Sequence, residues 1–100
     1  MAGTLADVVT RIGGCADELR RRGIRHLSVF GSVVRGEDRA DSDVDIAIDI
    51  DPDRSFSLIR MEDTRLVLEG LLGRPVDLGE TDSFRPPVRA AFEQQHVRVF

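Results

Sequence analysis

The apolar positions of the chain change period along its length. Leu5, Val8, Val9, Ile12, Ala16 and Leu19 recur at helical spacing, with Thr4 placed to cap and Arg20, Arg21 and Arg22 closing the segment before Gly23. Gly13-Gly14 weakens that helix, by roughly 1 kcal/mol per glycine relative to alanine. Leu27-Ser28-Val29-Phe30 predicts a first short strand. After a charged, turn-rich stretch over 36–42, the run Val44-Asp45-Ile46-Ala47-Ile48-Asp49-Ile50 alternates strictly, the period of a half-buried strand, and Pro52 stops it. A second helix is predicted from Ser55, with Leu58, Met61, Leu68, Leu71 and Leu72 on its apolar side and Glu62, Asp63 and Glu69 on its wet side. Gly73-Arg74-Pro75 breaks it. Val76-Asp77-Leu78 predicts a strand, Ser83 to Pro87 a loop, Val88 to Gln95 a helix and Val97 to Phe100 a last strand. The order α-β-β-α-β-α-β predicts an α/β (α+β) fold with helices packed on a small mixed β-sheet.

A chain of 100 residues can bury one modest core, so residues 1–100 are expected to form a single domain. No apolar run approaches the roughly 20 residues that span a bilayer, and the first residues lack the basic flank and apolar block of a signal peptide. A cytoplasmic protein with no membrane partner is expected. Cys15 is the only cysteine, which excludes an internal disulfide, and at its place in the first helix it is expected to act as a small buried hydrophobe. The formal net charge of −4 argues against direct nucleic-acid binding, which needs a basic face to displace counterions. It leaves room for a nucleotide whose charge Mg²⁺ offsets.

The alternating strand carries the first chemical signal. Val44, Ile46, Ile48 and Ile50 share one face, and Asp43, Asp45, Ala47, Asp49 and Asp51 share the other. Like charges repel, and threonine, lysine or glutamate would serve a plain solvent face better, so the carboxylates suggest a cation. Asp43 and Asp45 stand roughly 6.6 Å apart along a strand and can approach one ion, whereas Asp49 lies about 13 Å beyond Asp45. Mg²⁺ is often held by one or two carboxylates plus phosphates. Asp77, flanked by Val76 and Leu78 of opposite facing, can bring a third carboxylate from a neighbouring strand. Such a trio suits two metals about 3.5–4 Å apart and an in-line phosphoryl displacement.

Phe30-Gly31-Ser32 carries the second. Glycine at a strand end admits a ligand close to the backbone, and Ser32 can start a helical turn through Val33, Val34 and Arg35 that Gly36 ends. By itself Gly-Ser is an ordinary turn signal. Arg35 is the arginine best placed to meet phosphate. Arg39, like Arg35, is equally suited to pair with Glu37, Asp38 or Asp41. His26 and His96 have no acidic or cysteine partner at ligand spacing.

Taken together, Gly31-Ser32, ten intervening residues, Asp43-Val44-Asp45 and a later strand aspartate resemble the signature of the polymerase-beta-type nucleotidyltransferase superfamily. The stretch from Gly31 to Gly36 followed by Asp41-Ser42-Asp43-Val44-Asp45 is similar to its minimal branch, the MNT domain found as the antitoxin of HEPN/MNT toxin–antitoxin pairs. The likeness continues through Gly73 to Leu78 and the apolar finish Val97 to Phe100; Val33-Val34 departs from the polar or small residues common after the serine. The resemblance implies a nucleotidyltransferase fold. It implies that Gly31 and Ser32 hold the nucleotide phosphates, that Asp43 and Asp45 bind Mg²⁺, and that Asp77 completes the catalytic site with a second ion. It further implies AMP transfer from ATP to a hydroxyl, a tyrosine of a HEPN-domain toxin partner. A non-catalytic antitoxin acting by contact is the alternative, but a degenerate copy would be expected to have lost a carboxylate. Transfer to a small molecule of the aminoglycoside type ranks last, because the chain lacks an additional helical domain to hold the drug.

Overall fold

The computed structural model describes residues 3–37, 39 and 42–100. Asp38 and Asp41, named above as partners for the loop arginines, lie outside them. The first helical segment is two helices, α1 (Leu5–Gly13) and α2 (Ala16–Arg21), because the chain breaks at Gly14 and Cys15. Thr4 Oγ1 accepts the Asp7 amide at 3.1 Å, the N-cap expected of it. Strand β1 (Ile24–Phe30) begins three residues earlier than its apolar run suggested, and leads into the one-turn helix α3 (Ser32–Arg35). Strand β2 (Val44–Ile50) has the bounds its alternation predicted.

Helix α4 (Leu58–Leu72) starts three residues later than expected. Ser57, not Ser55, caps it: Ser57 Oγ accepts the Arg60 amide at 3.1 Å. Leu58 therefore stands at the helix entrance, 88% exposed, and is not part of the apolar side. Thr64 takes an inward position and satisfies its hydroxyl on the Arg60 carbonyl at 2.8 Å. Glu69 is not on the wet side either. Its Oε2 accepts the Val76 amide at 2.9 Å and Arg65 Nη1 at 2.7 Å, fastening the helix to the next strand. That strand, β3 (Val76–Glu80), passes through a 3-10 turn (Thr81–Ser83) to α5 (Pro86–Gln94) and β4 (His96–Arg98). Beyond β4 the pairing continues irregularly, with the Val99 amide donating to Leu27 O at 2.8 Å.

The sheet order is β3-β2-β1-β4, with β2 and β3 parallel and the other pairs antiparallel. This is the mixed sheet that the element order implied. One face carries Leu27, Val29, Val44, Ile46, Ile48 and Val76, which pack with Val8 and Ile12 of α1, Leu19 of α2, and Leu68 and Leu72 of α4. Cys15 lies in the break between α1 and α2, not within a helix as expected, and is a free thiol partly buried against this core. On the other face, Phe30, Phe84 and Phe92 form a three-ring cluster with centroids 5.6–5.8 Å apart, bringing α5 onto the sheet. Ala47 and Ser28 are buried on this side, so it is not a plain solvent face. No helix among the described residues is long and apolar enough to cross a membrane.

Candidate active site

The site lies at the end of β1 and the start of β2. Gly31 ends β1 at φ 79° and ψ −150°, a backbone region that is essentially open to glycine alone. A Cβ there would also overlap Asp45 Oδ2, so the carboxylate of Asp45 lies directly over the Gly31 backbone. The turn then enters α3, whose Val34 and Arg35 amides return to Gly31 O at 3.2 and 3.3 Å, and Gly36 stops it in the left-handed conformation. Val33, the departure from the common pattern, is buried on the main core and anchors the turn from beneath.

Register places the carboxylates. Phe30 pairs with Asp45, and Asp45 pairs with Asp77 in the parallel ladder, so the three side chains form one row on one face of the sheet. Asp43 has the same parity, one step closer to the Gly31-Ser32 turn, and is exposed just ahead of β2. The next row is Ser28, Ala47 and Gly79, all small.

The arrangement has an electrostatic consequence. Asp45 is raised from 3.8 to about 6, first by burial, then by the charges of Asp77 and Asp43, against a smaller opposing pull from Arg35. Arg35 is exposed and pairs with Glu37 at 3.1 Å. The three aspartates do not close into a ready-made cage: among the described residues no group of three or more His, Cys, Asp or Glu side chains is drawn together tightly enough to hold a metal ion. The sequence expectation that they converge is met in the shared facing of Asp45 and Asp77 and not in closure. The donor set still fits Mg²⁺. Its ligands are hard oxygens, one or two carboxylates suffice when phosphates supply the rest, and a cation here would relieve the charge crowding that burdens Asp45.

Other candidates sit elsewhere. Asp49 pairs in register with His26 and lines a separate surface hollow with Arg25 and Asp82, and Asp51 Oδ1 accepts the Asp53 amide at 2.9 Å. His26 Nδ1 meets Arg98 Nη2 at 2.6 Å, and His96 stacks on Phe92 at 4.2 Å. Two residues of the site escaped the sequence reading. Arg74, 3% exposed, donates from Nη2 to the carbonyls of Arg39 at 2.9 Å and Ser42 at 3.0 Å, holding the loop that delivers Asp43. Its signal, an arginine between a helix-ending glycine and a proline, looked like turn punctuation. Phe84, which overlies Gly79, was assigned to a loop.

Comparison with known proteins places the fold in a family. The model of the nucleotidyltransferase domain family matches residues 12–99. A relative from Thermococcus cleftensis, the protein adenylyltransferase MntA, is 43% identical over 97 residues, which is 96% of each chain. A chain of a toxin–antitoxin crystal structure with AMP-PNP superposes with a TM-score of 0.74 at 21% identity, covering 92% of this chain and 72% of the other. A chain from the structure of a tri-AMPylated Shewanella oneidensis HEPN toxin in complex with MNT antitoxin gives 0.68 at 18% identity, covering 93% and 71%. The two structural likenesses are likenesses of fold.

Proposed function

The chain belongs to the nucleotidyltransferase domain family, and from that premise we propose that it transfers AMP from ATP to a tyrosine hydroxyl of a HEPN toxin, acting as that toxin's antitoxin. The relative of nearly equal length is named a protein adenylyltransferase, and the AMPylated HEPN toxin in complex with an MNT antitoxin supplies a matching partner and product. The observation that carries the reading is the Asp45 carboxylate seated over Gly31 and in register with Asp77. It puts the Gly31-Ser32 turn directly beside the acidic row.

The Gly31-Ser32 turn takes the β- and γ-phosphates on its free amides and the serine hydroxyl, with Arg35 offsetting charge at the rim. Asp43 and Asp45 would hold Mg²⁺ with the triphosphate, and Asp77 would serve a second ion or accept the proton of the incoming hydroxyl. When bound, the metal supplies positive charge to the phosphates and orients them for in-line attack. The chain's own part is alignment. Gly31 lets the phosphates approach, Arg74 sets the loop before Asp43, and the parallel ladder fixes Asp77 beside Asp45.

The test is to mix the chain with a HEPN toxin, ATP and Mg²⁺, and to measure the toxin's intact mass. AMP-sized additions are expected, lost in Asp45→Asn and in Asp77→Asn; removing one electrostatic element of an active site commonly costs a factor of about 10²–10³. Toxin silenced at unchanged mass, equally by wild type and by the double variant, would replace this reading with neutralisation by contact.

A further inference from the structure

A cleft of about 220 Å³ opens beside Asp77, walled by Phe30, Phe84 and Val88 and floored by Gly79. We infer that this cleft receives the aromatic ring of the acceptor side chain and presents its hydroxyl to the α-phosphate. The inference rests on the transferase reading above and adds the subsite that selects the acceptor.

Position is the first argument. From the Gly31-Ser32 turn the rows run Phe30/Asp45/Asp77, then Ser28/Ala47/Gly79. The cleft floor is therefore on the far side of the carboxylate row from the phosphate turn. In an in-line displacement the attacking oxygen enters opposite the leaving group. With pyrophosphate leaving toward the turn, the nucleophile enters from the cleft. There the acceptor oxygen forms a bond to the α-phosphorus, the bond from that phosphorus to the bridging oxygen of pyrophosphate breaks, and the hydroxyl proton passes to Asp77 and on to water. Pyrophosphate keeps the electron pair of the broken bond.

Shape and chemistry are the second. The Phe84 ring lies so close on Gly79 that an added Cβ would overlap it, so glycine at this position is what seats the ring. Phe84 is held against Phe30 at 5.6 Å and Phe92 at 5.8 Å, which makes it a rigid wall. An apolar cavity of about 150 Å³ accommodates one benzene ring, so a cleft of about 220 Å³ has room for a phenol ring. Aromatic walls favour a planar ring through edge and offset contacts, and one carboxylate at the mouth suits a single hydroxyl. A serine or threonine would reach Asp77 without filling the cleft.

The experiment uses the full chain with three substitutions: Phe84→Ala removes the wall, Gly79→Ala drives the ring into the cleft, and Val88→Glu, at a 40% exposed position, blocks the mouth without touching the core. Transfer kinetics on the toxin, calorimetric Mg·ATP affinity, and amide shifts on titration with N-acetyltyrosinamide are measured for each. The expected result is an acceptor KM raised about tenfold or more with Mg·ATP affinity within about twofold of wild type. Probe shifts should fall on Asp77, Gly79, Phe84 and Val88 and fade in Val88→Glu, and Phe84→Tyr should recover most of the loss. An unchanged acceptor KM in both Phe84→Ala and Val88→Glu overturns the inference. So does a loss confined to Mg·ATP affinity, which would make the cleft a nucleobase site. Should wild type add no AMP while the probe still maps to the cleft, the ring site stands and the transfer reading falls; a probe that shifts none of these residues removes the ring site.

Discussion

Gly31 carries two constraints at once, a backbone conformation reserved for glycine and a side-chain space already taken by Asp45 Oδ2. Gly31→Ala is expected to cost about 1–3 kcal/mol from backbone strain alone. It should also push the carboxylate off the turn and abolish Mg·ATP binding, which calorimetry would read. Asp45 yields a second prediction at this scale. Its folded pKa is raised, so the stability it contributes is full below about 3.8 and is lost as pH rises through about 6. In EDTA, Asp45→Asn should melt a few degrees above wild type at pH 7.5, and the gap should shrink toward pH 4. A melting temperature for Asp45→Asn below wild type at pH 7.5 would show that the carboxylate is not under the strain described. These two residues also show what was legible. The aspartates Asp43 and Asp45, at and just ahead of β2, and the glycine-serine turn stood out in the sequence because parity and spacing are local properties. The contact between Asp45 and Gly31 did not, since it joins two strands.

At the scale of elements, the loop between α3 and β2 depends on a distant side chain. Arg74 ends the turn after α4, yet its Nη2 bonds two carbonyls of the loop that leads to Asp43, while the Val44 amide donates to Pro75 O at 2.9 Å. Arg74→Leu should cost about 2 kcal/mol or more, because it leaves polar groups in a buried place without their donor. It should weaken Mg·ATP binding, because the loop it holds leads to Asp43. Arg74→Lys should recover only part, since an ammonium cannot reproduce the planar fork. Chemical denaturation and calorimetry on the two variants would check both effects. Boundaries set by caps were misplaced in the sequence for a related reason. Ser55 and Ser57 are equally good N-cap types, and only the geometry of the entering chain selects Ser57 and leaves Leu58 in solvent. Glu69 was taken for surface because its partners, Arg65 and the Val76 amide, meet it only when α4 lies along β3.

Across the whole molecule, α1, α2, α3, α4 and strands β1 to β3 contribute to one continuous core. We therefore expect one cooperative thermal transition, coincident by far-UV and near-UV circular dichroism. A ligand bound only by the folded chain adds about 2.7 kcal/mol at a concentration 100 times its Kd. For a domain of this size that corresponds to a rise in Tm of about 10 °C or more. Mg·ATP should produce such a rise, and ATP in EDTA should not, because the chain is already at −4 and its acidic row would face the bare triphosphate. Equal shifts in the two buffers would remove the metal from the site.

The sequence by itself determined the alternating strand, the glycine-serine turn, the mixed α/β character and the facing of each aspartate, since these follow from φ/ψ preference and from the two-residue period of a strand. Tertiary structure alone decided which strand lies beside which, and so the register that sets Asp77 directly opposite Asp45. It decided that Arg74 serves a loop more than thirty residues away. It also brought Phe30 and Phe84, far apart along the chain, to the walls of a cleft beside that row. Local periodicity carries no information on pairing partners. Those are selected by the burial of the whole apolar surface at once, and with them the neighbours that give each charged side chain its surroundings.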